Sequence, residues 1–447
     1  MILTFDIQST TEHLESEAGL VLAGQIARFS GLTSVVRDTH SPLNMALVSM
    51  FGLLVQGRSS FEEIEQFRSS LFFKNAFDLP YVPAQETVRL HLEKYTDLPN
   101  CLDAIRACTT RLLKKATLTP IVVGGRKYLP VDCDVTTLDN SKSHKEGVSR
   151  TYMGTDGYAP IISYIGAEGY MLDYELRRGS QHCQNKTPEF LKRNIATIEQ
   201  LPPLSPTIPL LFRLDSGNDA IDTIRSLVGK NRFFIIKRNR RKESTEEWLE
   251  KAQTFGTAHK RYPGVVEYTG SITKAHPKAD ADMPEFDIVF QVTERTMDRE
   301  GFPLLVPEII VETWWTNMFE SPDDIIALYH DHATSEQFHS ELKTDMDVER
   351  LPSGKMRVND LILGLSMLAF NTLRFIGQSA FAKKNLLPPM TKAMEKRVRV
   401  RLRKVISDIL TIGCKLVHHS RAWILRISES HPWLPVFRII YADFVAL

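Results

Sequence analysis

Four polar side chains in one stretch, Tyr329, His332, Glu336 and Lys343, stand at offsets 0, 3, 7 and 14. On an α-helix these offsets return to one face over about four turns. A carboxylate there, beside a phenol and an ammonium, could hold a cation next to phosphate-binding groups. That is the requirement of metal-dependent phosphodiester chemistry. A solvated helix face has the same pattern, so the stretch gains meaning only from partners elsewhere. Two further carboxylates qualify, Asp134 in Asp134-Val135-Thr136 and Asp215 in Arg213-Leu214-Asp215-Ser216-Gly217. Either alone would read as a turn or cap residue. Gathered with Glu336, they would bind hard cations such as Mg²⁺, which prefers octahedral oxygen coordination. Two such ions about 3.5–4 Å apart can activate an attacking oxygen and stabilise the leaving one. Without metal, three carboxylates in one pocket repel each other and one tends to stay protonated. Asp132 lies two residues before Asp134 and so on the same face of a strand. It either competes for the ligand role or supports the ligand.

The elements that must position these residues follow from patterning. Residues 1–115 read mainly as helix: Asn44–Val55 is apolar, Ser60-Phe-Glu-Glu63 is a capping box, and a third helix opens after Pro83. From about residue 120 strands are expected. Ile121–Val123 and Arg126–Leu129 flank Gly124-Gly125 as a hairpin, and strands follow at Tyr128–Thr136, Tyr158–Ile165 and Tyr170–Leu176. Thr187–Leu201 is then a helix, Pro209–Asp215 a strand, Asp219–Val228 a helix and Arg232–Lys237 a strand. Three strands in a meander followed by two helix–strand units is the order of the RNase H-like fold, an α/β mixed sheet flanked by helices. That order would bring a first-strand acid, a fourth-strand acid and a late-helix acid together, at strand ends, where open sheets form sites. Residues 240–310 read as a β-rich insertion. One helix region then carries Tyr329 to Lys343, and a long apolar helix spans Val358–Phe375. Alternation in Lys396–Lys404, Lys415–His419 and Trp423–Ile427 suggests strands, with a hairpin among them.

Composition bounds the rest. The 447 residues are 43% hydrophobic and 24% charged, ordinary for a globular chain with room for two or three domains. A net charge of +1 is no global nucleic-acid signature, so any DNA binding must come from local patches. Lys237, Arg238, Arg240 and Arg241 form one such patch, and Arg397, Arg399, Arg401 and Arg403 on one strand face would form another. Each reads either as a phosphate-binding surface or as a solvated face. The five cysteines show no zinc-ligand spacing, which fits a reducing compartment. Met45–Val55 is too short to span a bilayer, and the N-terminus lacks a secretory pattern, so no membrane partner and no export are expected. His418-His419 lacks the carboxylate spacing of a metal site. Trp315 is either a base-stacking or a core residue.

These motifs together resemble transposases of the DDE type found in bacterial insertion sequences, within the transposase DDE group 1 class. The D-x-T at Asp134, the R-x-D-S-G at Asp215 and a Y-x2-R-x3-E-x6-K signature at Tyr329, Glu336 and Lys343 carry the likeness, over roughly Gly19 to Phe444. The chain departs from the signature once, with His332 where the family has Arg, which would contact phosphate bidentately. The resemblance favours Asp134 over Asp132 as the ligand. It implies that Asp134, Asp215 and Glu336 hold Mg²⁺, with Mn²⁺ as a substitute, while Tyr329, His332 and Lys343 contact phosphate. The implied reaction is hydrolysis at transposon ends and transfer of the 3′ ends to target DNA. The implied partners are double-stranded DNA and a second copy in a synaptic homodimer, in the bacterial cytoplasm and on the nucleoid. The implied organisation is a helical DNA-binding region at 1–115, an RNase H-like core at 116–239 and 311–380, the insertion at 240–310, and a basic β-hairpin and helix region at 381–447. An RNase H-like nuclease without strand transfer and a non-catalytic DNA-binding derivative remain the other two readings.

Overall fold

Ser41 starts the first long apolar helix as its composition requires: the hydroxyl accepts the Asn44 amide hydrogen at 3.3 Å, and Pro42 sits in the first turn. The computed structural model describes residues 7–202, 208–298, 300–332, 334–388, 398–420 and 422–447. Two compact units emerge, one made of Met1–Lys115 with Glu341–Leu447, the other of Ala116–Ser340.

The first unit is mainly helical. It opens with a short strand β1 (His13–Glu15), followed by α1 (Leu20–Ser30), α2 (Pro42–Leu54), α3 (Leu71–Ala76), α4 (Gln85–Tyr95) and α5 (Cys101–Leu113). The Ser60–Glu63 capping box is present, but it opens a 3₁₀ segment, Phe61–Phe67, rather than an α-helix.

The second unit holds β2 (Ile121–Val123), β3 (Arg126–Val135), β4 (Leu138–Asp139), β5 (Ser149–Arg150), β6 (Asp156–Tyr158), β7 (Ile161–Ile165) and β8 (Tyr170–Glu175). It continues with α6 (Thr187–Ile198), β9 (Leu210–Leu214), α7 (Ile221–Leu227), β10 (Arg232–Lys237) and α8 (Thr245–Phe255). Next come β11 (Thr257–Tyr262), β12 (Val265–Lys274), β13 (Phe286–Met297), β14 (Pro303–Thr316), α9 (Pro322–Asp331) and α10 (Thr334–Ser340). Its main sheet runs β11-β12-β13-β14-β10-β9-β3-β7-β8, with β2 added to β3. β3, β7 and β8 form the antiparallel meander, and β9 and β10 lie parallel to β3, connected through α6 and α7. This is the expected RNase H-like mixed sheet. The 240–310 stretch is not a separate layer, because β14 pairs antiparallel with β10 and so occupies what would be a bare sheet edge. Its four strands extend the same sheet, and α8 packs on them.

The first unit resumes with α11 (Met356–Phe381), α12 (Leu402–Val405), β15 (Cys414–His419), β16 (Ala422–Ile427) and α13 (Leu434–Val445). β15 and β16 form the expected hairpin, and β1 adds a third strand. By length and composition α11 could cross a membrane, yet it is the buried core helix of this unit, packed on α2 and α5. The strand expected over 396–404 does not form within its described part. Arg397 lies outside the described residues. Arg399 pairs with buried Glu341, which also accepts from Arg374 at 2.9 Å and from the Leu402 amide at 3.0 Å. Arg401 forks onto Asp345 at 2.8 and 2.9 Å. The basic alternation here follows two buried carboxylates that need cations, and not a pleated surface facing DNA.

A second correction concerns the helix expected from Tyr329 to Lys343. Tyr329 lies in the last turn of α9, His332 is its C-cap, α10 begins anew at Thr334, and Lys343 sits on a π-helical turn, Glu341–Asp345, in the first unit. The single polar stripe is therefore broken at His332, whose ring is drawn to the sheet instead.

Candidate active site

Alternation along two neighbouring strands builds the site. β3 and β9 pair in parallel with Asp132 opposite Arg213 and Cys133 opposite Leu214. Continuing the register by one residue sets Asp134 beside Asp215. Even-numbered β3 residues and odd-numbered β9 residues thus share one face. On it Tyr128 and Leu211 join Ile235, Val289 and Trp314 under Ile325, Ile326 and Leu328 of α9. The other face is apolar, with Val131, Cys133, Phe212 and Leu214 buried. The α9 face therefore carries two cross-strand pairs, one of opposite charge and one of like charge.

The opposite-charge pair is fully committed. Arg213 donates to both oxygens of Asp132, Nε to Oδ1 at 2.6 Å and Nη2 to Oδ2 at 2.8 Å, and Nη1 donates to the Leu328 carbonyl at 2.8 Å. His332 Nδ1 lies 2.9 Å from Asp132 Oδ1. Burial opposes charge on Asp132, yet Arg213 and His332 hold its pKa down at about 2. This cluster fastens β3, β9 and the end of α9 together. Asp132 and Asp134 share a face, but both oxygens of Asp132 are already engaged by Arg213 and one also by His332. His332 is buried on this carboxylate.

The like-charge pair has no such partner. Burial, then the neighbouring Asp134 charge, pushes Asp215 up from 3.8 to about 6, although Asn218 Nδ2 donates to its Oδ1 at 2.5 Å. For Asp134, burial likewise opposes the charge, but His339 and His332 hold the pKa below its usual value. Its Oδ1 accepts the Val135 amide at 2.8 Å, and its Oδ2 lies 3.5 Å from His339 Nε2. Tyr329, which packs against His332, keeps its proton strongly: burial and then the charges of Asp215 and Asp134 raise its pKa. Tyr152, bonded through its hydroxyl to the Val135 carbonyl, is pushed up to about 12 by burial and the same two carboxylates. Two carboxylates side by side, with protonated phenols around them and no guanidinium on either, form a donor set that fits a hard divalent cation.

The sequence left Asp132 and Asp134 open, with the family resemblance favouring Asp134; the register of β3 and β9 sets Asp134, not Asp132, beside Asp215. Glu336 is less simply placed: it is exposed in the first turn of α10. Among the described residues no three His, Cys, Asp or Glu side chains are gathered as a metal-binding group, so the structure joins Asp134 to Asp215 but not Glu336 to both. The α10 residue that does reach Asp134 is His339. Its spacing of three after Glu336, one helical turn, was the available signal.

The basic run after β10 divides. Lys237 pairs with Glu312 at 2.5 Å. Arg238 is buried, donates to Glu243 at 2.7 Å and lies 4.9 Å over the Trp315 ring. Trp315 is itself buried and donates from Nε1 to Asp219 at 3.2 Å, so it is a core residue. Arg241 is exposed and Arg240 half-buried.

The family described as transposase DDE domain group 1 matches residues 5–447. No curated protein sequence matches the chain. Among solved structures, the piggyBac transposase synaptic complex with hairpin DNA is similar at 10% sequence identity and a TM-score of 0.42, the match covering 89% of this chain and 78% of that one.

Proposed function

The chain belongs to the transposase DDE domain group 1 family, and on that premise we propose that it cuts DNA at the ends of a transposable element and joins the freed 3′ ends to target DNA. Membership makes it a transposase, a nucleic-acid-cleaving enzyme of a class that uses divalent metals. The finer reading is that Asp134, Asp215 and Glu336 hold Mg²⁺, or Mn²⁺ in its place. The observation that carries it is the like-charge pair Asp134–Asp215, which no guanidinium joins, beside the pair Asp132–Arg213. A sheet that supplies one buried carboxylate with a guanidinium and leaves two others side by side supports the reading that a cation sits between them.

When bound, paired divalent ions supply charge neutralisation and Lewis-acid polarisation for an in-line displacement at phosphorus. The chain's own residues do the rest. The Asp132–Arg213–His332 cluster fixes the relative height of β3 and β9, and so the spacing of the two ligand carboxylates. Tyr329 keeps its proton next to them and donates a hydrogen bond to a backbone phosphate oxygen of the scissile strand. Lys343 contacts a further phosphate of the bound DNA. Arg240 and Arg241 add sequence-independent attraction for the duplex, which salt weakens. Two transposon ends must be held at once, which calls for two copies of the chain.

The test is incubation of the purified full-length chain with Mg²⁺, a duplex carrying the sequences that flank its reading frame, and a plasmid target. Nicking at the ends followed by covalent joining of the 3′ ends to plasmid is the expected result. Nicking without joining would make the chain a nuclease, and binding without nicking a DNA-binding protein.

A further inference from the structure

Among the described residues on the site face of the sheet, Nε2 of His339 is a buried nitrogen without a hydrogen-bond partner, as is Nε1 of Trp314, and only the histidine nitrogen stands beside Asp134. The residue is 5% exposed, on the last turn of α10, and Nε2 stands 3.5 Å from Asp134 Oδ2. The other ring nitrogen, Nδ1, lies 3.1 Å from the Tyr164 hydroxyl of β7. Tyr164 also packs against the ring at 5.4 Å between centroids and against Phe338 at 5.0 Å. An unpartnered buried nitrogen costs free energy unless something fills its place. A ring clamped through one nitrogen, with the other facing a ligand carboxylate at 3.5 Å, longer than a good hydrogen bond, is the arrangement that metal-binding histidines adopt.

Resting on the metal-dependent reading above, we propose that His339 Nε2 is itself a ligand, sharing one divalent cation with Asp134, and that Tyr164 is the positioning residue that turns the ring toward it. Two ligand atoms each about 2.1 Å from one ion lie roughly 3 to 3.5 Å apart, so the observed spacing needs little adjustment. Glu336 stands one turn earlier on the same helix, at an exposed position. A site of two strand carboxylates, one helix carboxylate and one imidazole takes Mn²⁺ more readily than an all-oxygen site does, because imidazole suits transition metals and Mg²⁺ prefers oxygen.

Pulsed electron paramagnetic resonance on the full-length wild-type chain loaded with Mn²⁺ tests this directly. Imidazole ¹⁴N coupling to Mn²⁺ is the expected signal, lost in His339→Gln. By titration, Mn²⁺ affinity falls about 10- to 100-fold in His339→Gln. In Tyr164→Phe, which retains the ligand, it falls by a smaller factor and the nitrogen coupling persists. Mg²⁺ affinity falls less than Mn²⁺ affinity in both. Absence of ¹⁴N coupling in the wild-type chain, or its persistence in His339→Gln, overturns the proposal whether or not the variants fold well. Asp134→Asn and Asp215→Asn separate the two levels. If they leave Mn²⁺ affinity unchanged, the metal site itself is misplaced. If they abolish it while His339→Gln does not lower it, only the role of His339 fails.

Discussion

Asp215→Asn should stabilise the metal-free protein at alkaline pH, an unusual outcome for removal of a functional charge. The folded chain holds the Asp215 carboxyl at about 6 against an ordinary 3.8, through burial and the Asp134 charge. A carboxyl raised in this way favours folding while protonated. That contribution is whole below the unfolded value and is lost as pH rises from about 4 through 6. At pH 8 the ionised pair therefore costs the fold about 3 kcal/mol, roughly two pKa units at 1.36 kcal/mol each. The side chain keeps some solvent contact, so this figure is a ceiling. Asparagine keeps the shape and can still accept from Asn218 while removing the charge. For a unit of 150–250 residues each kcal/mol is worth about 2–4 °C, so the variant should melt several degrees higher in EDTA at pH 8. The gain should shrink toward pH 5. Mn²⁺ should raise the melting temperature of the wild-type chain and leave the variant nearly unmoved. A variant that melts at or below the wild type in EDTA at pH 8 would refute the claim that these two carboxylates strain each other.

Asp132→Ala should have the opposite sign, losing about 3–5 kcal/mol because it leaves Arg213 buried without its partner; urea unfolding measures it. Since Arg213 and His332 hold Asp132 near 2, its stabilisation is present above about 4 and is lost as pH falls through 2. Gly169→Ala should cost about 1–3 kcal/mol, because Gly169 has φ of +70° and a Cβ there would run into the Phe338 ring. As Phe338 adjoins His339, Mn²⁺ affinity should fall in the same variant. Arg241→Ala should weaken DNA binding and reduce its salt dependence by about one phosphate contact, whereas Arg238→Ala should lower the melting temperature, as the ion pair to Glu243 and the stack on Trp315 require.

The chain order of the sheet was readable because strand length, turn residues and helix caps are local signals. Asp134 and Asp215 meet once β3 and β9 are neighbours in register, but preferring Asp134 to Asp132 needed the family motif as well. What was not readable depends on contacts distant in sequence. The break at His332 comes with a ring bonded to Asp132, two hundred residues earlier. Arg399 and Arg401 looked like a strand face because nothing local reveals that Glu341 and Asp345 are buried beneath them. The 240–310 stretch reads only as a β-rich insertion, because pairing of β14 with β10 leaves no mark in either segment. Lys237 and Arg238 looked alike, yet Lys237 pairs with Glu312 and Arg238 is buried in the core, distinctions set by β14 and by Glu243. His339 is not legible in the sequence, because a histidine one turn beyond an acid is ordinary until the fold sets its ring beside Asp134.

The measurement that bears most directly on the account is Mg²⁺-dependent cleavage of an end-bearing duplex by the wild-type chain, Asp134→Asn, Asp215→Asn and Asp132→Asn, each at a temperature where it remains folded. The paired strand acids as metal ligands predict a loss of at least about a thousandfold, some 4 kcal/mol of transition-state stabilisation, in Asp134→Asn and Asp215→Asn. Asp132→Asn should act chiefly through stability. Cleavage that survives in Asp134→Asn or Asp215→Asn would contradict the account.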